Sequence, residues 1–93
     1  MAKSITETLE ERGASHGDIK EQAKLAQDLI FVLRTNDMFK VLPPEMKQSL
    51  EMICFKMSRI VMGDHNFKDH WHDIAGYAKL AEILCVDIRE NKE

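Results

Sequence analysis

The chain has few of the residues that announce a function. It holds two cysteines, two prolines, four glycines, one tryptophan and one tyrosine in 93 residues. Cys54 and Cys85 both fall inside apolar, helix-spaced segments, with no cysteine-rich framework around them. That excludes a disulfide scaffold and reads as two reduced packing residues in a cytosol. There is no Cys-x-x-Cys and no His-Glu-x-x-His, and His70 and His72 are two apart, so on a helix they point nearly opposite ways. No zinc signature results. No window approaches 18 apolar residues, which excludes a membrane span, and no apolar run follows Lys3, so no signal peptide is expected. The net charge of −3 excludes a general nucleic-acid coat, which needs a basic face, but leaves room for a local basic pocket. Strict polar/apolar alternation is missing, as are Asn-Gly and Asp-Gly, so no hairpin competes with helix. No spacing shows a Ser-His-Asp or Cys-His arrangement, and catalytic residues stay unassigned.

What is present is an ordinary globular balance, 44% hydrophobic and 31% charged. The length fits one domain over residues 1–93, with residues 1–3 and 89–93 as frayed tails. A chain this short buries roughly two-thirds of its unfolded surface. The core is therefore small, and self-association would add to it.

The punctuation predicts one short helix and three longer ones. Ser4-Ile5-Thr6-Glu7 is a capping box, followed by a short helix to about Arg12 with Gly13 as a left-handed stop. Asp18-Ile19-Lys20-Glu21 is a second box. Behind it Ile19, Ala23, Ala26, Leu29, Ile30 and Leu33 form a stripe to near Thr35, with Asn36-Asp37 as a turn. Pro43-Pro44 opens a third helix, with Met46, Leu50, Ile53, Met57 and Ile60 on one face, ended by Gly63. After a polar loop, Asp69 caps the last helix, expected to run to about Arg89. Its apolar band, from Trp71 through Ile88, is wider than one face needs. This helix should then be central in the domain or part of a subunit interface. Short loops favour antiparallel neighbours, so the expected fold is all-α: a small antiparallel helical bundle, oligomeric.

Three constellations carry chemical interest. Asp69 and Asp73 are four apart on one helix face, and two carboxylates so placed suit a hard cation with phosphate oxygens. Asp69 equally suits a helix cap, and acids in a first turn offset the helix dipole. Lys56 and Arg59 interrupt an apolar helix, where cations need water or an anion, and Glu51 on the same helix offers one partner. Cations opposite aspartates form either a salt-bridge network or a phosphate-plus-metal site. Finally, Arg12-Gly13-Ala14-Ser15-His16-Gly17-Asp18 places an arginine, a hydroxyl and an imidazole at a helix start, where free amides favour anions. A plain interhelical turn explains it equally well. Trp71 and Tyr77 are core or interface aromatics, or surfaces on which a base stacks.

Taken together, Arg12-Gly13-x-x-His16-Gly17-Asp18, Leu50-Glu51-Met52-Ile53-x-x-Lys56-x-x-Arg59-Ile60 and Asp69-x-Trp71-x-Asp73-Ile74-x-Gly76-Tyr77-Ala78 resemble a family of small bacteriophage and prophage proteins. The resemblance runs from about Leu9 to about Leu84. That family in turn is similar to the all-α nucleotide pyrophosphohydrolases of the MazG and dUTPase type. Those are helical, usually oligomeric, and use acids on two adjacent helices to hold Mg²⁺ and cut a nucleoside triphosphate. The catalytic proteins carry Glu-x-x-Glu and Glu-x-x-Asp on those helices. Here Glu51 is followed by Lys56, Asp69 and Asp73 have a different spacing, and Glu7-x-x-Glu10 falls on the short first helix. His16 stands where an aromatic Tyr is expected.

The resemblance thus implies a phage-encoded protein in the host cytoplasm that binds a nucleotide or other phosphate-bearing ligand. Lys56, Arg59 and Arg12 would meet phosphate. Asp69, Asp73 and Glu51 would hold Mg²⁺, and Trp71 or Tyr77 would stack on a base. Three functions of different classes fit: a Mg²⁺-dependent nucleoside triphosphate pyrophosphohydrolase, a non-catalytic protein sequestering a host nucleotide signal, and an inhibitor that binds a host protein directly.

Overall fold

A computed structural model describes residues 4–86 of the chain. The described residues form five helices: α1 (Ile5–His16), α2 (Ile19–Arg34), α3 (Asp37–Lys40), α4 (Pro44–Met62) and α5 (Lys68–Leu84). The all-α expectation holds. The expected helix end near Arg89, the Ile88 position and the tails at 1–3 and 89–93 lie outside the described residues.

Local chemistry explains most of the helix starts. The Ser4 hydroxyl accepts from the Glu7 amide at 3.1 Å. One Asp18 carboxylate oxygen accepts from the Lys20 and Glu21 amides at 2.9 and 3.1 Å. Each satisfies amides that a first helical turn leaves without a partner. Pro44 sits at the first position of α4, where its missing N–H costs nothing. The segment expected as a plain turn, Asn36-Asp37, instead starts the short helix α3. The Asn36 side chain accepts from the Met38 amide at 2.8 Å, and α3 turns Phe39 into the core.

Two ends differ from expectation. The first helix passes through Gly13 and stops at Gly17, which alone among the described residues has a positive φ, of 84°. Asp69 does not cap α5: Phe67 holds that position without a side-chain cap, and Asp69 lies inside the first turn. The helix begins earlier because the Phe67 ring packs with those of His16 and His70, at centroid distances of 6.0 and 4.8 Å.

α4 is the central element, packed against α5 on one side and α2 on the other; α1 touches the ends of α4 and α2. The facing residues of α2 are Gln22, Ala26 and Ile30, spaced by four. The most deeply buried positions of α2 and α4, Ala26 and Ser58, are small, so the two axes approach closely. The buried apolar set is short: Ala26, Ile30, Phe39, Cys54 and Ile60. α5 is not central. Only His70 is fully buried on it, while Trp71, Leu80, Ile83 and Leu84 are exposed. Among the described residues, no helix is long and apolar enough to cross a membrane.

The cysteines separate. Cys54 is buried, and burial, with a smaller push from the Glu51 charge, raises its thiol pKa. Cys85 is not the packing residue its spacing suggests: it is exposed just past α5, its thiol donating to the Ala81 carbonyl at 3.3 Å. Thiolate reactivity follows exposure and pKa. A disulfide reagent added to the folded chain should therefore modify one thiol quickly and the second only on unfolding, with mass mapping placing the fast one at Cys85.

Candidate functional site

The end of α1 meets the turn between α4 and α5 at backbone distance. The Ser15 carbonyl accepts two hydrogen bonds there, from the Asp64 amide at 3.1 Å and from His70 Nε2 at 3.1 Å. A carbonyl cannot donate, so His70 carries its proton on Nε2. His70 is 1% exposed, with its ring edge against that of His16 at a centroid distance of 4.4 Å. Two glycines permit the approach. A Cβ on Gly17 would overlap the Met62 carbonyl, and one on Gly63 would overlap Ser15 and His16 backbone.

This junction forms one wall of a cavity of about 530 Å³ between α1, the start of α2 and α4, lined by Arg12, His16, Gly17, Asp18, Gln22 and Arg59 among others. The volume is in the range of small-molecule sites. Its charges are mostly of one sign. His16 is lowered to about 4 first by desolvation, then by the positive charge of His70, Arg59, Lys56 and Arg12, so at neutral pH it is an uncharged imidazole. The Ser15 hydroxyl lies against its Nδ1. Asp18, the one carboxylate among the described lining residues, already accepts from two backbone amides. Arg59 Nε is buried and has no hydrogen-bond partner among the described residues. Such a group is costly unless something supplies an acceptor.

The predicted site residues divide into three groups. Arg12 and Arg59 line the same cavity. Lys56 does not join them at its wall. Its ammonium pairs with Asp73 at 2.9 Å, linking α4 to α5, and that hydrogen bond is the main reason the Asp73 carboxyl titrates below its usual value. The third group is dispersed. Glu51 is held by Arg34 of α2 through two hydrogen bonds of 2.8 Å. Asp69 is exposed on the first turn of α5. Trp71 is 55% exposed with its indole donating to the His65 carbonyl at 2.8 Å, and Tyr77 lies in a shallow groove beside His72, Asp73 and Leu80.

The predicted Mg²⁺ set therefore does not assemble. Glu51 and Asp73 each answer a different cation, and no group of three His, Cys, Asp or Glu able to hold a metal occurs among the described residues. The aromatics predicted for base stacking line no part of the cavity. Sequence reading passed over Gln22, whose buried amide lines the cavity, and the Phe67–His70 contact. Gln22 had a usable signal: it precedes the buried Ala26 and Ile30 by four and eight, so it lies on the core face of α2.

No curated protein and no solved structure matches the chain. A family model does, over residues 1–85, and the chain belongs to that family, described as "Domain of unknown function (DUF6378)".

Proposed function

We propose that this chain binds a phosphate-bearing small molecule, a nucleotide by class, in the cavity shared by α1, α2 and α4, and that it acts as a self-associating binding protein of phage origin that sequesters its ligand. One observation carries the reading: Arg12 and Arg59 converge on a cavity in which neither has an ion pair with a described residue, and Arg59 Nε lacks an acceptor. An anion supplies the missing acceptors, and guanidinium groups suit phosphate because they donate two parallel hydrogen bonds. The neutral imidazole of His16 and the Gln22 amide add uncharged donors and acceptors for a sugar or base. The reading keeps the nucleotide part of the phage-family resemblance and sets aside the pyrophosphohydrolase part, since the acids that hydrolysis would need are spread over separate ion pairs.

Thermal-shift titration with inorganic phosphate, linear nucleotides and cyclic nucleotides tests it. Ligand at 100 times its dissociation constant adds about 2.7 kcal/mol of stability, which raises the Tm of a domain this size by roughly 10 °C or more. Arg59→Ala and Arg12→Ala should keep the fold and weaken the ligand by about 10- to 100-fold each, the range expected when a charged hydrogen bond is lost. No shift with any phosphate compound at millimolar concentration would refute the proposal. Release of pyrophosphate from a nucleoside triphosphate with Mg²⁺ would show that the chain is an enzyme and that sequestration is the wrong reading.

A further inference from the structure

The cavity between α1, α2 and α4 holds a second unanswered group beside Arg59. Gln22 is only 4% exposed, yet its side chain lines the cavity and has no hydrogen-bond partner among the described residues. A carboxamide held out of bulk water in this way costs free energy unless a donor and an acceptor meet it. Ala26 and Ile30, which share its face of α2, are apolar and supply neither. Two other lining residues are also apolar: Leu9 on α1 and Ile19 at the start of α2, which stand 60% and 72% exposed. On α1, Leu9, Arg12 and His16 are spaced by three and four. That helix therefore lays an apolar, a cationic and a neutral polar side chain along one side of the cavity.

We infer that the Gln22 carboxamide reads the edge of a heterocyclic base, and that the ligand is a nucleoside monophosphate. The inference rests on the phosphate site proposed above and adds what accompanies the phosphate. Three features favour it. A carboxamide presents a donor and an acceptor side by side, which matches the adjacent amino group and ring nitrogen of adenine and the corresponding pairs on other bases. Leu9 and Ile19 offer apolar surface that a flat ring covers and a sugar phosphate leaves wet. The cations, finally, set the number of phosphates. Arg12 and Arg59 carry two positive charges between them, and a phosphate monoester carries about −1.5 to −2 at neutral pH. Among the described lining residues there is no third cation for a longer phosphate chain, and Lys56 is already paired with Asp73.

Isothermal titration of the full chain with inorganic phosphate, ribose 5-phosphate and the common nucleoside mono- and triphosphates tests this. At least one nucleoside monophosphate should bind about 5- to 150-fold tighter than ribose 5-phosphate, the range for one two-point contact to a base edge. It should bind no less tightly than its own triphosphate. Methylating the edge nitrogen of the preferred base blocks the pairing and keeps the ring, and should remove most of that advantage. Gln22→Leu should do the same. Equal binding of ribose 5-phosphate and every nucleoside monophosphate would overturn the inference and leave the phosphate site standing. So would a methylated base that binds as well as its parent, a triphosphate that binds tighter, or a Gln22→Leu chain that weakens both ligands alike. If no phosphate compound binds, the phosphate site itself is refuted, and this inference with it. If Gln22→Leu does not fold, the methylated base decides alone.

Discussion

Gly17→Ala is expected to destabilise the chain by about 3 kcal/mol or more, whereas Gly76→Ala should stabilise it by roughly 0.5–1 kcal/mol. The chemical change is the same methyl group. At Gly17 the backbone has φ of 84°, which side chains other than glycine rarely adopt, and the new Cβ would overlap the Met62 carbonyl. That carbonyl is backbone of the last residue of α4, so the α1–α4 junction must open to admit the methyl group. At Gly76, inside α5, nothing lies within 4 Å of an added Cβ, and alanine removes backbone freedom from the unfolded chain at no steric cost. A 93-residue domain has a total stability of roughly 5–14 kcal/mol, so the Gly17 effect is a large fraction of it. Urea unfolding followed by circular dichroism would show the midpoint moving in opposite directions for the two variants. Equal midpoints would mean that the junction is loose. Because the junction also forms the cavity wall, Gly17→Ala should weaken ligand binding beyond what its loss of stability explains.

The second large effect is acid destabilisation through His16. Its pKa in the folded chain is about 4, against an ordinary 6.5, and the causes are burial and the nearby His70, Arg59, Lys56 and Arg12. Well above pH 6.5 the ring is essentially unprotonated in both the folded and the unfolded chain, and stability is full. As the pH falls from 6.5 towards 4, the unfolded chain takes up the proton and the folded chain does not. Stability should fall across that window by up to about 3 kcal/mol. The contribution is lost on acidification and not on alkalinisation, because the folded value is the depressed one. His16→Gln should flatten the slope between pH 6.5 and 4 while leaving the carboxylate-dependent slope below it. A bound phosphate would offset the positive field around His16. The same titration with inorganic phosphate present should then show a shallower loss, which connects this measurement to the proposed site.

Much of the helical frame was legible in the residues. Ser4 and Asp18 are caps because a short oxygen-bearing side chain can reach the amides of the turn that follows it, and Pro43-Pro44 marks a start because proline fits only there. These are local interactions, and local spacing reveals them. Misreadings came where a long-range contact decided. Gly13 looked like a helix stop, yet nothing at Gly13 needs a positive φ; Gly17 needs it because α4 ends against it. Asp69 looked like a cap, but Phe67 is drawn under His16 and His70, which starts the helix earlier. Cys85 looked like a packing residue, but α5 ends at Leu84 and leaves Cys85 exposed just past it.

The candidate site divides along the same line. The residues alone determined that the chain is helical and that Arg12, Lys56 and Arg59 are cations in places where cations require a reason. They could not determine which partner answers each cation, since that depends on how helices pack across gaps of many residues. The tertiary structure gave Asp73 to Lys56 and Glu51 to Arg34, removing both acids from a common metal set. It left Arg12 and Arg59 facing one cavity, with a neutral His16 between charges of like sign. Side-chain type follows from sequence. Which charges are satisfied follows only from packing, because electrostatic pairing acts over a few ångströms and the chain alone does not say which residues come that close.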